Sequence, residues 1–164
     1  MKAALLIIDL QKAYYTGEQV GQMDQAAWYI REALKLFRGN NLPIVWIQDV
    51  DSLGGVVPGT EGFEMIDVLG GRQESEYSVY KYYGNSFNKT NLAELLANHG
   101  VDTVVLAGYC AEYCVFNTYR GAMDQDLTPV LLRDAIVSGD SDNLRFIMKL
   151  CDSVSLNILS KVLG

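Results

Sequence analysis

Short apolar runs alternate with segments of helical periodicity along the whole chain. The runs Ala3 to Ile8, Pro43 to Gln48, Tyr77 to Lys81, Val101 to Ala107 and Thr128 to Leu132 have strand length. Most are rich in Val, Ile or Tyr, which suit a pleated buried surface. A weaker run spans Ser153 to Leu156. Between them, Gln25 to Arg38 places Ala27, Ile30, Leu34 and Phe37 on one helical face, with Asp24 as the expected cap and Gly39-Asn40-Asn41 as the stop. Glu61 to Leu69 reads as a short helix ended by Gly70-Gly71, and Thr90 to Asn98 carries Leu92, Leu95 and Leu96 on one stripe before Gly100. Cys114 to Gln125 and Ser141 to Leu150 complete the expected helices.

Near-continuous apolar strands flanked by helices predict a parallel sheet covered on both faces. The expected fold class is α/β: a Rossmann-like three-layer α/β/α sandwich around a central, mostly parallel six-stranded sheet. A chain of 164 residues, 49% hydrophobic, fits a single domain over 1-164 and supplies enough apolar material for a core. The one long flexible-looking stretch, Asp51 to Gly62, contains Gly54-Gly55 and Pro58-Gly59 and is expected to be an active-site flap or an interface element.

Charge narrows the partners. Thirteen basic residues against 20 acidic ones give a net charge of -7 with no basic cluster, so neither nucleic acid nor a membrane is expected as a partner. The apolar runs are far shorter than a membrane span, and Asp9 interrupts the first before a signal-peptide pattern develops; a soluble, cytoplasmic protein is expected. Three cysteines argue against a disulfide framework. His99, the only histidine, precedes Gly100 at a helix stop, where capping is its expected role. No Gly-x-Gly-x-x-Gly turn follows the first strand, which removes a nucleotide-binding Rossmann reading.

In an open parallel sheet the ligand crevice lies beyond the carboxyl ends of the strands. Asp9 ends the first strand, Lys81 ends the third, and Cys114 follows the fourth at the start of an expected helix, where unpaired N–H groups and the macrodipole favour thiolate. Each has an ordinary reading by itself: a loop-forming acid, a lysine snorkelling among tyrosines, a buried inert thiol. Together they define a chemistry. A cysteine nucleophile needs a base, and a carboxylate whose pKa is raised by burial can serve where no histidine is placed to do so. A neighbouring lysine then balances the charge and can hold a carbonyl oxygen.

The arrangement resembles the isochorismatase-like cysteine hydrolases, which include nicotinamidases and N-carbamoylsarcosine amidases. The resemblance rests on Ile7-Ile8-Asp9-Leu10-Gln11-Lys12-Ala13-Tyr14, on Pro58-Gly59-Thr60-Glu61-Gly62, and on Lys81 with Ser86-Phe87 behind it. Its strongest block runs from Gly108 through Cys114 to Thr118, followed by Arg133-Asp134-Ala135 at family spacing. It implies Asp9, Lys81 and Cys114 as the catalytic residues: Asp9 as base and proton relay, Lys81 as its electrostatic partner, Cys114 as the nucleophile that forms an acyl-enzyme. It also implies a cis peptide at Tyr109-Cys110, an oxyanion hole from the backbone N–H groups of Cys110 and Cys114, and a structural role for the Cys110 side chain. Gln11 and Tyr14, on the loop after Asp9, and Tyr113, beside Cys114, are expected to contact substrate.

The stretch Gln48-Asp49-Val50-Asp51-Ser52 lacks the histidines that metal-containing nicotinamidases carry after the second strand. Asp49 and Asp51 are expected as loop formers, and neither metal nor other cofactor is expected. The resemblance implies hydrolysis of a C–N bond in a small amide, ureido or imide-like compound. A vinyl-ether hydrolase of the isochorismatase type and a non-catalytic oligomeric binding protein stay open as alternatives. Many relatives assemble, and Trp28, Trp46 and ten tyrosines supply aromatic surface, so a homodimer or larger homo-oligomer is expected.

Overall fold

Six strands lie parallel in one sheet, in the order β3-β2-β1-β4-β5-β6, in a computed structural model that describes residues 1–164. They are β1 (Ala3–Ile8), β2 (Ile44–Asp49), β3 (Tyr77–Lys81), β4 (Thr103–Tyr109), β5 (Thr128–Val137) and β6 (Ser153–Val154). β1 and β4 are central, and β1 throughout and β4 from Val104 to Gly108 are apolar and buried, as strands covered on both faces must be. The two-residue alternation along β1 divides the core. Ala3, Leu5 and Ile7 face Ile30, Leu34 and Phe37 of α1 (Gln19–Gly39) and Leu159 of α5 (Leu156–Leu163). Ala4, Leu6 and Ile8 face Leu92 and Leu96 of α2 (Leu92–Asn98), Tyr119 and Ala122 of α3 (Phe116–Met123) and Ile147 of α4 (Ser141–Leu150). This is the expected three-layer α/β/α sandwich. No helix is long and apolar enough to cross a membrane.

Several boundaries depart from expectation for identifiable reasons. α1 starts at Gln19, six residues before Gln25, because buried Met23 extends its apolar face; Asp24 therefore lies inside the helix and accepts a hydrogen bond from the Tyr15 hydroxyl at 2.6 Å instead of capping. The expected helix Glu61 to Leu69 is two 3-10 turns, Glu61–Phe63 and Asp67–Leu69. Between them the backbone is spent on the chain after β1: Lys12 N–H donates to Glu64 O, and Ile66 N–H to Leu10 O. β5 runs on to Val137, and the weak strand at Ser153 is only two residues long because Ser155 caps α5, a helix that the sequence pattern missed.

Candidate active site

Three neighbouring strands end together. Asp9 follows β1 with φ of 52°, a left-handed conformation that aspartate tolerates better than most residues. Its N–H donates to Ile47 O at 2.9 Å, and Val50 N–H donates to Lys81 O at 2.8 Å, which ties the ends of β1, β2 and β3. Lys81 stands beside Asp49 in the register of β3 on β2. Because β2 separates β3 from β1, Lys81 must reach past Asp49 to meet Asp9, and its four-carbon stem is long enough to do so. Its Nζ lies 2.8 Å from Asp9 Oδ2, 3.0 Å from Asp49 Oδ1 and 3.2 Å from Cys114 Sγ. An ammonium has three hydrogens, and these three neighbours can use them all.

The fourth strand end brings the thiol. β4 leads through a cis peptide at Tyr109-Cys110 into a π turn, Ala111–Val115, which continues as α3. Cys114 is the fourth residue of that turn, so the helical segment opens at Ala111 and not, as expected, at Cys114 itself. Cys110 O accepts from Tyr113 N–H and Val115 N–H, both at 3.1 Å, on either side of Cys114. Gly108 sits opposite Ile8 in the β1/β4 register with φ of 132°, and a Cβ there would collide with the Ile8 carbonyl oxygen. Glycine is what lets the two strands close up immediately before the site.

The electrostatics follow from burial. Lys81 is fully covered and Asp9 is 2% exposed. Burial raises the Asp9 carboxyl to about 6 even though Lys81 pulls it down. Burial opposes the charge on Lys81, but Asp9, Cys114 and Asp49 outweigh it and hold the ammonium above the usual lysine range. Burial and then the Asp9 charge push the Cys114 thiol up to about 12, with Lys81 opposing. Burial and the Asp9 charge thus oppose the thiolate that a helix terminus is expected to favour. Asp9 Oδ1 is buried without a hydrogen-bond partner, a free acceptor in this cluster.

Other expected residues separate. The Gln11 side chain is fully buried: Nε2 donates to Asp49 O and Phe63 O, each at 3.0 Å, and Oε1 accepts from Asp49 N–H at 2.8 Å. With its amide spent on backbone groups, Gln11 braces the end of β2 and has no free polar atom to offer an expected substrate. Tyr14 remains half-buried at the site, donating to Asp49 Oδ2 at 2.9 Å with its ring 5.6 Å from that of Tyr109. Tyr113 is 65% exposed, outside the triad cluster. Cys110 is buried and points its thiol at Glu112 Oε2, 3.0 Å away; burial and that carboxylate raise it to about 11. His99 caps α2 with Nδ1 on Leu95 O and pairs with Tyr77, at the opposite sheet edge.

Asp49 is the residue that the sequence reading misplaced. It was expected as a loop former, and that expectation holds only for Asp51, whose Oδ1 accepts from Leu53 N–H and Gly54 N–H. Asp49 ends β2 at the same sheet edge as Asp9 and Lys81, and the strand-end rule that singled those out applies equally to it.

A carboxylate, an ammonium and a thiol converge at the carboxyl edge of a parallel sheet in an α/β protein. The family model described as the isochorismatase domain matches residues 3–153, and the chain belongs to the isochorismatase family. A secreted isochorismatase effector of Verticillium dahliae is 32% identical over 143 residues, covering 85% of this chain and 74% of that protein. A maleamate amidohydrolase of Pseudomonas putida is 28% identical over 160 residues, covering 86% and 75%. The crystal structure of an isochorismatase-like hydrolase from Alkaliphilus metalliredigens superposes with a TM-score of 0.89 at 25% identity, covering 100% of both chains. Family membership supports a hydrolase.

Proposed function

We propose that the protein is a cysteine-dependent hydrolase of a C–N bond in a small amide or ureido compound. The observation that carries this reading is the buried, unpartnered Asp9 Oδ1 in a cluster where one lysine holds both that carboxylate and the Cys114 thiol. Near neutral pH a carboxyl raised to about 6 is ionised and a thiol raised to about 12 is not, so base and nucleophile rest in the protonation states the first step needs.

Cys114 Sγ attacks the carbonyl carbon while Asp9 takes the thiol proton. The carbonyl π electrons move to oxygen, and the N–H groups of Cys110 and Cys114 hold the oxyanion. Asp9 then gives its proton to the leaving nitrogen, the C–N bond breaks and a thioester remains. Water attacks the thioester as Asp9 takes its proton, and the C–S bond breaks as Asp9 gives that proton to the departing sulfur, which frees the carboxylic acid product and restores both the thiol and the carboxylate. Lys81 keeps Asp9 in place and offsets the negative charge of each intermediate. Tyr14 contacts the substrate from the wall beside Asp49, and Tyr113 does so from the rim.

The reaction uses no metal or organic cofactor. Asp49, the one partly accessible carboxylate of the cluster, is already engaged by Lys81 and Tyr14, so a cation would have to displace an ammonium. Turnover should survive EDTA. The protein works as a homo-oligomer, with exposed Phe146 and Leu150 of α4 on one side of the sheet and Ile158 and Val162 of α5 on the other as apolar residues available for assembly; a monomer in light scattering would refute this. The deciding experiment is ammonia release from a panel of small amides. Parent activity that disappears in Cys114→Ala supports the reading, and activity that survives in that variant refutes it.

A further inference from the structure

We propose that this site accepts amides that are neutral or positively charged and turns away those that carry a carboxylate. The inference rests on the reading of Cys114 as the reacting group and adds a substrate class to it.

Asp9 and Lys81 form the buried floor, while Cys114, Tyr14, Tyr109 and Asp49 are each half-buried and open to an incoming molecule. A substrate therefore meets two phenol rings, a carboxylate and a thiol. The two carboxylates, Asp9 and Asp49, against the one ammonium of Lys81 leave the cluster with one negative charge in excess. That ammonium is buried and shared among three groups, so it has no hydrogen left for a substrate carboxylate.

The aromatic wall reinforces the bias. The rings of Tyr14 and Tyr109 lie 5.6 Å apart at 36°, and the faces of such rings attract cations. The Tyr14 hydroxyl sits in a negative field: after burial, Asp49, Asp9 and Asp51 raise it. One unbalanced charge at ~8 Å in an effective dielectric of ~20 changes occupancy roughly thirtyfold. Maleamate, for which the Pseudomonas putida relative is named, carries a carboxylate, so this site would differ from that one in what it admits.

The test does not need the natural substrate. Cys114 is modified with aminoethyl, methyl and sulfonatoethyl methanethiosulfonate, which are cationic, neutral and anionic, and each rate is divided by that of free cysteine. The expected cation-to-anion ratio exceeds the free-thiol ratio by about tenfold or more and shrinks as salt is added. It should also collapse in Asp49→Asn. A ratio equal to that of free cysteine, or one unchanged in that variant, overturns the proposal. In parallel, kcat/KM is compared for β-alaninamide, butyramide and succinamate, and preference for succinamate overturns it as well. Amide turnover that survived in Cys114→Ala would instead sink the proposed mechanism, while the reagent ratio would still decide the charge preference.

Discussion

Lys81 and Asp49 hold each other at 3.0 Å across neighbouring strands, so the lysine that supports Asp9 is shared between two carboxylates. Sharing weakens what Lys81 can do for Asp9, and the Asp49 charge itself adds to the forces that raise the Asp9 carboxyl to about 6. Asp49→Asn removes that repulsion and leaves Lys81 to Asp9, which lowers the Asp9 value. Parent activity should fall as pH drops through about 6, and in Asp49→Asn the same limb should lie at lower pH. The weaker base should also lower the plateau by about two- to tenfold. The kcat/KM profile against pH reads both, and an unmoved acid limb would show that Asp49 only holds the fold.

The strands and the sheet edge were legible because burial writes itself into composition: β1, buried on both faces, and the edge strand β3, buried at Val79 and Lys81, begin and end where their expected runs do. Ser141 to Leu150 was equally plain, since Asp140 caps it through the N–H groups of Asp142 and Asn143. Three things were hidden. The 3-10 turns around Met65 depend on pairing with Gln11, a contact between residues far apart in sequence. Gln11 follows Asp9 closely and looks like a ligand contact, yet its amide is spent on the backbone at Asp49 and Phe63. The forces on the Cys114 thiol were hidden because a helix terminus is local information, whereas the burial and the Asp9 charge that push it up arrive from other strands.

Gly108→Ala tests the close approach of β1 and β4. The new methyl group would strike the Ile8 carbonyl, and φ of 132° is unfavourable to any side chain. A loss of about 2 kcal/mol or more is expected, seen as a drop in Tm. A variant as stable as the parent would mean that the strands can separate there at little cost.

Lys81→Met removes the only cation between two carboxylates. Breaking a buried pair by deleting one partner costs about 3–5 kcal/mol, so the variant should be less stable and inactive. The sign of the pH dependence is informative. Without its lysine the Asp9 carboxyl rises further, so the protonated form is the one the fold tolerates. The added instability should therefore grow as pH rises from the ordinary carboxylate range toward the raised folded value and should be relieved in acid. Adding Asp9→Asn should restore much of the stability and none of the turnover. Denaturant unfolding at several pH values measures this, and a loss independent of pH would point to packing as its cause.

Asp9→Asn should move two properties of Cys114 in opposite directions. After burial, the charge on Asp9 is the largest force holding the thiol up near 12, and Lys81 is the one that pulls it down. Replacing the carboxylate with an isosteric amide deletes the first force and leaves the second. The thiolate should then form at lower pH, visible in its ultraviolet absorbance, and alkylation at mildly alkaline pH should quicken. Hydrolysis should nevertheless fall about a hundredfold or more, because an amide can neither take the thiol proton nor return it to the leaving nitrogen. A role limited to lowering the thiol pKa predicts the reverse pairing, with ionisation and turnover lost together. If thiolate formation in Asp9→Asn required the same or higher pH than in the parent, the electrostatic account of this site would have to be abandoned.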